Sequence, residues 1–333
     1  MPRGSWRPLR EDPEGAAALL TGPEAEARAA GHAGEAEELS SLRKKIFERK
    51  AEGGVLQGAR GHLEGLAIWE TVGTKGRRVG PIQLEKKCQN PSDWKRFLTA
   101  LLDSTDPAGP VLLFNSSLPG FPEADAAEFL APRGFLPYHR YGLAFPAQAP
   151  LPPDAVKPLQ SGRVRNVSPA DLEGLAELSA ASYANSIDLF LFAREDDEMQ
   201  EARRLLRTVF EGQYGTFLTH ASFGLEIDGV IRGATLVTDR TQYKLIADVE
   251  VHPRFQGHGH ARRLIRATLQ AVSPDATAPL VLAVTRENVA AYELYRHLGF
   301  VVQDGPFTFW ANPAALGISP PAPTAETRVT ASR

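Results

Sequence analysis

The sequence contains a single cysteine, Cys88, in 333 residues. One thiol excludes an intrachain disulfide and suits a reducing compartment, and nothing beside Cys88 marks it as an activated nucleophile. Net charge is scarce too: 37 basic against 40 acidic residues leave −3. That balance does not support nucleic-acid binding by overall charge, so no nucleic-acid partner is expected. Long apolar runs are missing. The opening Met1-Pro2-Arg3-Gly4-Ser5-Trp6 also lacks the apolar core of a signal peptide. No membrane role is expected, and the cytoplasm is the expected location.

Punctuation, in contrast, is plentiful: 29 glycines and 26 prolines divide the chain into short elements. The length suits two domains of about 150 residues each. Trp6 to Leu20 reads as a short strand, a capped turn and an alanine-rich helix, and Arg163 to Leu178 has the same grammar. Ala126 to Phe135 and Ala291 to Phe300 each read as a helix stopped by glycine before a strand begun by phenylalanine. Between these landmarks each half carries a hairpin, Val55 to Trp69 or Gly224 to Val237, then a strand, a helix and an apolar strand. Glu24 to Lys50 and Arg194 to Phe210 read as charged helices in corresponding places. The repeat predicts two α/β (α+β) domains of similar plan, over residues 1–148 and 161–316. A stiff proline-rich linker over 149–160 joins them, and a disordered tail follows over 317–333.

One stretch joins the punctuation to a binding geometry. Val249 and Val251 alternate with polar residues as in a strand, Pro253 ends the ladder, and Gly257 and Gly259 permit a tight turn. From Ala261 the apolar positions Ala261, Leu264, Ile265 and Leu269 fall at helical spacing. A turn opening into a helix presents free amides suited to a phosphate. His252, His258 and His260 lie in this stretch, but two of them sit in the turn with side chains expected to point outward, so no metal is expected. Downstream, after an apolar strand, Asn288, Ala291 or Tyr292, and Tyr295 share a helix face.

These two stretches resemble the signatures of the GNAT superfamily of N-acetyltransferases. Gln256, Gly259 and Ala261 match the pyrophosphate loop Q/R-x-x-G-x-G/A, and Asn288, Ala291, Tyr295, Gly299 and Phe300 match N-x-x-A-x-x-x-Y-x-x-x-G-F. The resemblance implies two tandem domains, each a mixed central sheet flanked by helices, in a monomer or homodimer. It implies acetyl-CoA as cosubstrate and, as acceptor, a primary amine of a small molecule or peptide, with catalysis in the second domain. By the same resemblance the backbone of Val249 and Val251 pairs with the pantetheine arm. Gln256, Gly257, His258, Gly259, His260, Ala261 and Arg262 then hold the pyrophosphate, Asn288 and Ala291 line the site, and Tyr295 supplies a proton to the leaving thiolate.

An alkylamine with a pKa near 10 also needs a base. The family's strand glutamate falls where this chain has Ala247. Asp248 and Glu250, on the strand face opposite Val249 and Val251, remain as candidates, acting directly or through water. The contrasting reading is a non-catalytic acyl-CoA-binding or sensing module whose first half engages a partner; the intact Tyr295 favours the enzyme.

The first half carries Gln89-Asn90-Pro91-Ser92-Asp93-Trp94 where the second has its turn. Both glycines are gone, Pro91 removes an amide, Asp93 adds a negative charge, and Leu130 stands in place of Tyr295. This copy is expected neither to bind coenzyme A nor to catalyse, but to pack on the second half and shape the acceptor pocket.

Overall fold

The structure, a computed structural model, describes residues 5–30, 33–58, 60–72, 76–104, 111–115, 118–152, 162–184, 186–272 and 278–312. Most of the expected linker, from 153 to 160, and the whole of the expected tail lie outside these residues. The chain forms two compact units: one takes the chain up to Tyr138 with the strand end from Thr308, and the other takes His139–Phe307.

In the first unit, β1 (Ser5–Pro8) leads to Asp12, which caps α1 (Pro13–Ala18) by accepting from the Gly15 amide at 2.9 Å. Proline is at home in that first helical position because its missing N–H would have no partner there. Two helices, α2 (Thr21–Ala29) and α3 (Ala33–Phe47), occupy the stretch that reads as one charged helix. Glu24 of α2, which also accepts from Arg28 of its own helix at 3.0 Å, ties them by accepting from Arg43 of α3 at 2.7 Å. Strands β2 (Glu52–Gln57), β3 (Leu63–Val72) and β4 (Gly76–Leu84) form an antiparallel meander. Helix α4 (Pro91–Asp103) then crosses to β5 (Val111–Asn115), parallel to β4, and α5 (Glu123–Leu130) follows. Trp94, Phe97, Leu98 and Leu101, at helical spacing on α4, bury themselves against Leu56, Ala67, Val79, Ile82 and Leu84 of the sheet.

The second unit begins within β6 (Leu136–Phe145) and continues through β7 (Arg163–Asn166), α6 (Leu172–Tyr183), α7 (Ile187–Phe192) and α8 (Glu198–Phe210). Next come β8 (Thr216–Phe217), β9 (Phe223–Ile227), β10 (Val230–Asp239) and β11 (Lys244–Val251). Last are α9 (His260–Val272), β12 (Leu280–Thr285), α10 (Val289–His297) and β13 (Val301–Ala311). The sheet order is β6-β12-β11-β10-β9-β7.

Chain order and compact units differ at both ends. Arg140–Phe145 pair antiparallel with β12, so this stretch belongs with the second unit, ahead of the division expected at residue 148. Phe309 and Trp310 pair with Asn115 and Phe114 of β5, which places the end of β13 in the first unit. Each strand satisfies a sheet edge that would otherwise offer unpaired backbone groups.

One irregularity decides which side chains of β11 face α6. Leu236 faces Asp248 while the next residue, Val237, faces Ile246, leaving Ala247 as the extra residue of a β-bulge. Past the bulge, Val249 and Val251 pack toward α9, joining Ile246. Ala247 packs with the α6 and α8 cluster, and Asp248 receives a hydrogen bond from Tyr183 of α6.

Candidate functional site

β11 and β12 are parallel neighbours for only two residue pairs, Lys244↔Leu280 and Leu245↔Val281. β11 runs on to Val251 paired with β10 alone, and β12 runs on to Thr285 paired with β6 alone. The two strands part, leaving the β12-facing backbone of Ile246–Val251 without a strand partner among the described residues. Such a gap inside a sheet accepts an extended ligand by strand-like hydrogen bonding.

A glycine turn follows the open strand. Gln256 Nε2 donates to the Val251 carbonyl at 2.9 Å and fixes the turn to the strand end. Gly257 and Gly259 have φ of 79° and 77°, left-handed values that favour glycine. A Cβ at Gly257 would meet nothing within 4 Å, so the turn's outer side is open. Helix α9 starts at His260, one position before the first residue of the apolar pattern. No amide from Gly257 to Arg262 has a backbone acceptor among the described residues, and Arg263 is the first to bond back, to Gly259 O at 3.0 Å. Free amides at a helix start, open to the outside and next to an unpaired strand edge, suit a phosphate carried on an extended arm.

The turn's side chains are less uniform than its sequence implies. His258 lies exposed with Nδ1 2.8 Å from Gln256 O. His260 is half-buried instead of pointing outward, and its Nδ1 has no partner among the described residues. Burial and then Arg263 lower the His260 pKa, holding the ring neutral. Ala261 and Arg262 are half-buried in the first turn of α9. No group of three potential metal ligands occurs among the described residues.

Asp248 and Glu250 are not solvent-facing. Tyr183 Oη donates to Asp248 Oδ1 at 2.6 Å, and burial first, then Asp248, push the Tyr183 pKa well up. Glu250 is 5% exposed and its Oε2 has no hydrogen-bond partner among the described residues. Burial and then the neighbouring Asp248 raise its pKa well above the ordinary carboxyl range, with Ser179 opposing. Upward is the direction a base working near neutral pH requires.

Tyr295 is buried on α10 against Phe300, ring centroids 5.8 Å apart. Burial raises its pKa, followed by the Asp248 and Asp188 carboxylates, while Arg140 opposes them. The phenol therefore keeps its proton, as a general acid must. Asn288 caps α10, its Oδ1 accepting from the Ala291 amide at 3.4 Å, and its Nδ2 donates to Asp188 Oδ2 at 3.3 Å. Ala291 packs on the cluster that contains Tyr295. Tyr292 faces Tyr141 instead, with ring centroids 5.8 Å apart.

Sequence reasoning missed Asp188, Arg140 and Tyr183. Asp188 accepts from Thr285 Oγ1 at 2.7 Å and from Arg140 Nη1 at 3.1 Å, while the Arg140 guanidinium lies 4.4 Å from the centre of the Phe192 ring. Arg140 comes from β6, far away in the chain, and carries no local signal.

Residues 182–300 match the family model of the acetyltransferase (GNAT) family. Similarity of fold extends over more of the chain. A GCN5-related N-acetyltransferase from Sphaerobacter thermophilus aligns with a TM-score of 0.51 at 14% identity, over 81% of this chain and 84% of its own. The GCN5-related glucosamine N-acetyltransferase region of a fungal multi-domain GH3 β-N-acetylglucosaminidase aligns at 0.53 and 11% identity, over 78% of this chain and 33% of that one. At such identities the likeness is one of fold. No curated protein sequence matches the chain.

Proposed function

We propose, for a chain whose second unit carries an acetyltransferase domain of the GNAT family, that this unit transfers an acetyl group from acetyl-CoA to a primary amine of a small molecule or peptide. One observation carries this reading: β11 and β12 part beside a glycine turn whose amides have no backbone acceptor among the described residues. Acetyl-CoA supplies a thioester, an acyl group on a leaving sulfur of thiol pKa near 8.5. The amides of 257–262 and the dipole of α9 bind the pyrophosphate. The open edge of β11 at Val249 and Val251 orients the arm that follows it.

Glu250, with Asp248 beside it, receives the ammonium proton and leaves the amine lone pair free for attack. Tyr295 holds a proton at Oη for the departing sulfur, and its raised pKa keeps that proton in place until charge develops there. Asn288 begins α10, and its bond to Asp188 fixes the helix that presents Tyr295.

Thiol release with an amine panel, together with calorimetry of acetyl-CoA, tests the reading. Stoichiometric binding near one equivalent per chain and amine-dependent thiol release are expected. Tight binding without thiol release from any amine would leave a cofactor-sensing module in place of an enzyme.

A further inference from the structure

The charges around the site are unevenly compensated. Asp248 and Glu250 stand together on β11, and their polar neighbours are neutral: Tyr183, which donates to Asp248 Oδ1 at 2.6 Å, and Ser179. Neither carboxylate has a lysine or arginine partner within salt-bridge distance among the described residues. The other carboxylate that bears on Tyr295, Asp188, already has its cation in Arg140 at 3.1 Å. The site's arginine is thereby committed. Glu250 is 5% exposed, and its Oε2 accepts from nothing among the described residues. A buried acceptor without a donor, beside a second carboxylate without a counter-charge, destabilises the protein by itself. A ligand bringing N–H donors and a positive charge relieves both defects.

We propose that the acceptor binds as a cation, its primary ammonium seated on Asp248 and Glu250, and that its skeleton is neutral or cationic, so that amines bearing an adjacent carboxylate are rejected. This rests on the acetyltransferase reading above. Rejection follows from charge: a second carboxylate about 6 Å from Asp248, at an effective dielectric near 20, meets a repulsion of roughly ten- to a hundredfold in affinity. Arg140 does not neutralise it, because Arg140 is bound to Asp188. Before transfer, the seated ammonium passes one proton to the carboxylate pair. The freed nitrogen lone pair forms the bond to the acyl carbon, the carbon–sulfur bond breaks, the sulfur takes the Tyr295 proton, and the second proton, shed by the new amide nitrogen, returns to the Tyr295 oxygen.

Matched trios that differ only at the carboxyl group test the charge preference: histamine, histidine and histidine methyl ester; agmatine, arginine and arginine methyl ester. Affinity is read by calorimetry on the full chain, free and saturated with coenzyme A, and kcat/KM by thiol release from acetyl-CoA. The amine and the ester are expected to exceed the acid at least tenfold in both readouts, and Asp248→Asn to narrow that ratio severalfold. Glu250→Gln, which keeps the side chain's shape, is the second variant in case the first folds poorly, and the same narrowing is expected of it. Equal use of acid and ester, a ratio unchanged in a folded variant, or no binding by any cationic member overturns the inference. Failure of acetyl-CoA itself to bind overturns the acetyltransferase reading instead, and amine affinity for the free protein still reads the charge preference in that event.

Discussion

The two halves of the chain bring a strand, a turn and a helix to corresponding positions and finish them differently. β11 and β12 pair over two residues and then part, whereas β4 and β5 pair over four, from Gly76↔Val111 to Val79↔Phe114. The turn before α9 leaves the amides of 257–262 without backbone acceptors among the described residues. Before α4, Asn90 Oδ1 accepts from the Asp93 amide at 3.1 Å, and Asn90 Nδ2 donates to Asp93 Oδ2 at 2.7 Å. Arg96 holds Asp93 in turn at 2.8 Å. Trp94, 0% exposed, fills the core of the first unit where the second has a half-buried alanine, and donates to Pro119 O at 2.6 Å. Leu130, in place of Tyr295, is also fully buried. The first half thus satisfies its helix start internally, and the second leaves it open among the described residues. An unsatisfied helix N-terminus is costly, and it persists where binding makes use of it.

The largest effect expected on that contrast comes from removing the proposed general acid, Tyr295, in whose place the first half has Leu130. Tyr295→Phe should lower kcat about 10²- to 10⁴-fold while calorimetry gives an unchanged acetyl-CoA affinity. Equal turnover would strip Tyr295 of its role and bring the halves closer together. Next in size is Trp94→Ala, which empties a fully buried site and should cost about 3–5 kcal/mol in denaturant titrations of the first unit. Activity per folded molecule should persist, since the turn and Tyr295 belong to the other unit; its loss at temperatures where the chain stays folded would show that the first half contributes to turnover. A smaller effect is expected from placing the first half's Asn and Asp at the sequence-aligned positions of the second half's turn. Gly257→Asn with His260→Asp keeps a residue that tolerates positive φ and adds a carboxylate at the helix start. Acetyl-CoA should bind about tenfold more weakly, because the added carboxylate repels the pyrophosphate at the start of α9. Unchanged affinity would mean that the amides of 257–262 are not the binding surface.

Much of this contrast was legible in the sequence because it is local. The glycine turn falls where the sequence puts it and α9 starts one position before Ala261, and the lack of both glycines in the first copy is visible by inspection. The bulge at Ala247 was not visible, because alternation at Val249 and Val251 is the same with or without an extra residue before them. Nor was the burial of Glu250, or the bond of half-buried Asp248 to Tyr183, which depend on Tyr183 and Ser179 arriving from α6. Arg140 lies 145 positions before its partner Thr285, and only the pairing of β6 with β12 brings them together. The boundary between the units was hidden for the same reason: a strand joins whichever sheet edge it satisfies, and proline content does not report that choice.

The smallest effect concerns the pH dependence of stability, where the halves should differ in sign. Glu250 has its pKa raised by burial and then by Asp248, above the unfolded value of about 4.3. Between those two values the folded chain holds more protons than the unfolded one, so this group's contribution to stability declines as pH rises through the window. In the first unit, Arg43 and then Arg28 lower the pKa of Glu24. Its contribution is present above the unfolded value and is lost as pH falls toward the lowered folded value. Glu250→Gln should therefore gain on the wild type as pH rises from 4 to 8 in urea titrations, whereas Glu24→Gln should lose on it over the acid part of that range. If the Glu250→Gln curve runs parallel to the wild type, Glu250 does not carry a buried carboxyl's burden, and the second unit's site is no more strained than the first unit's surface pair.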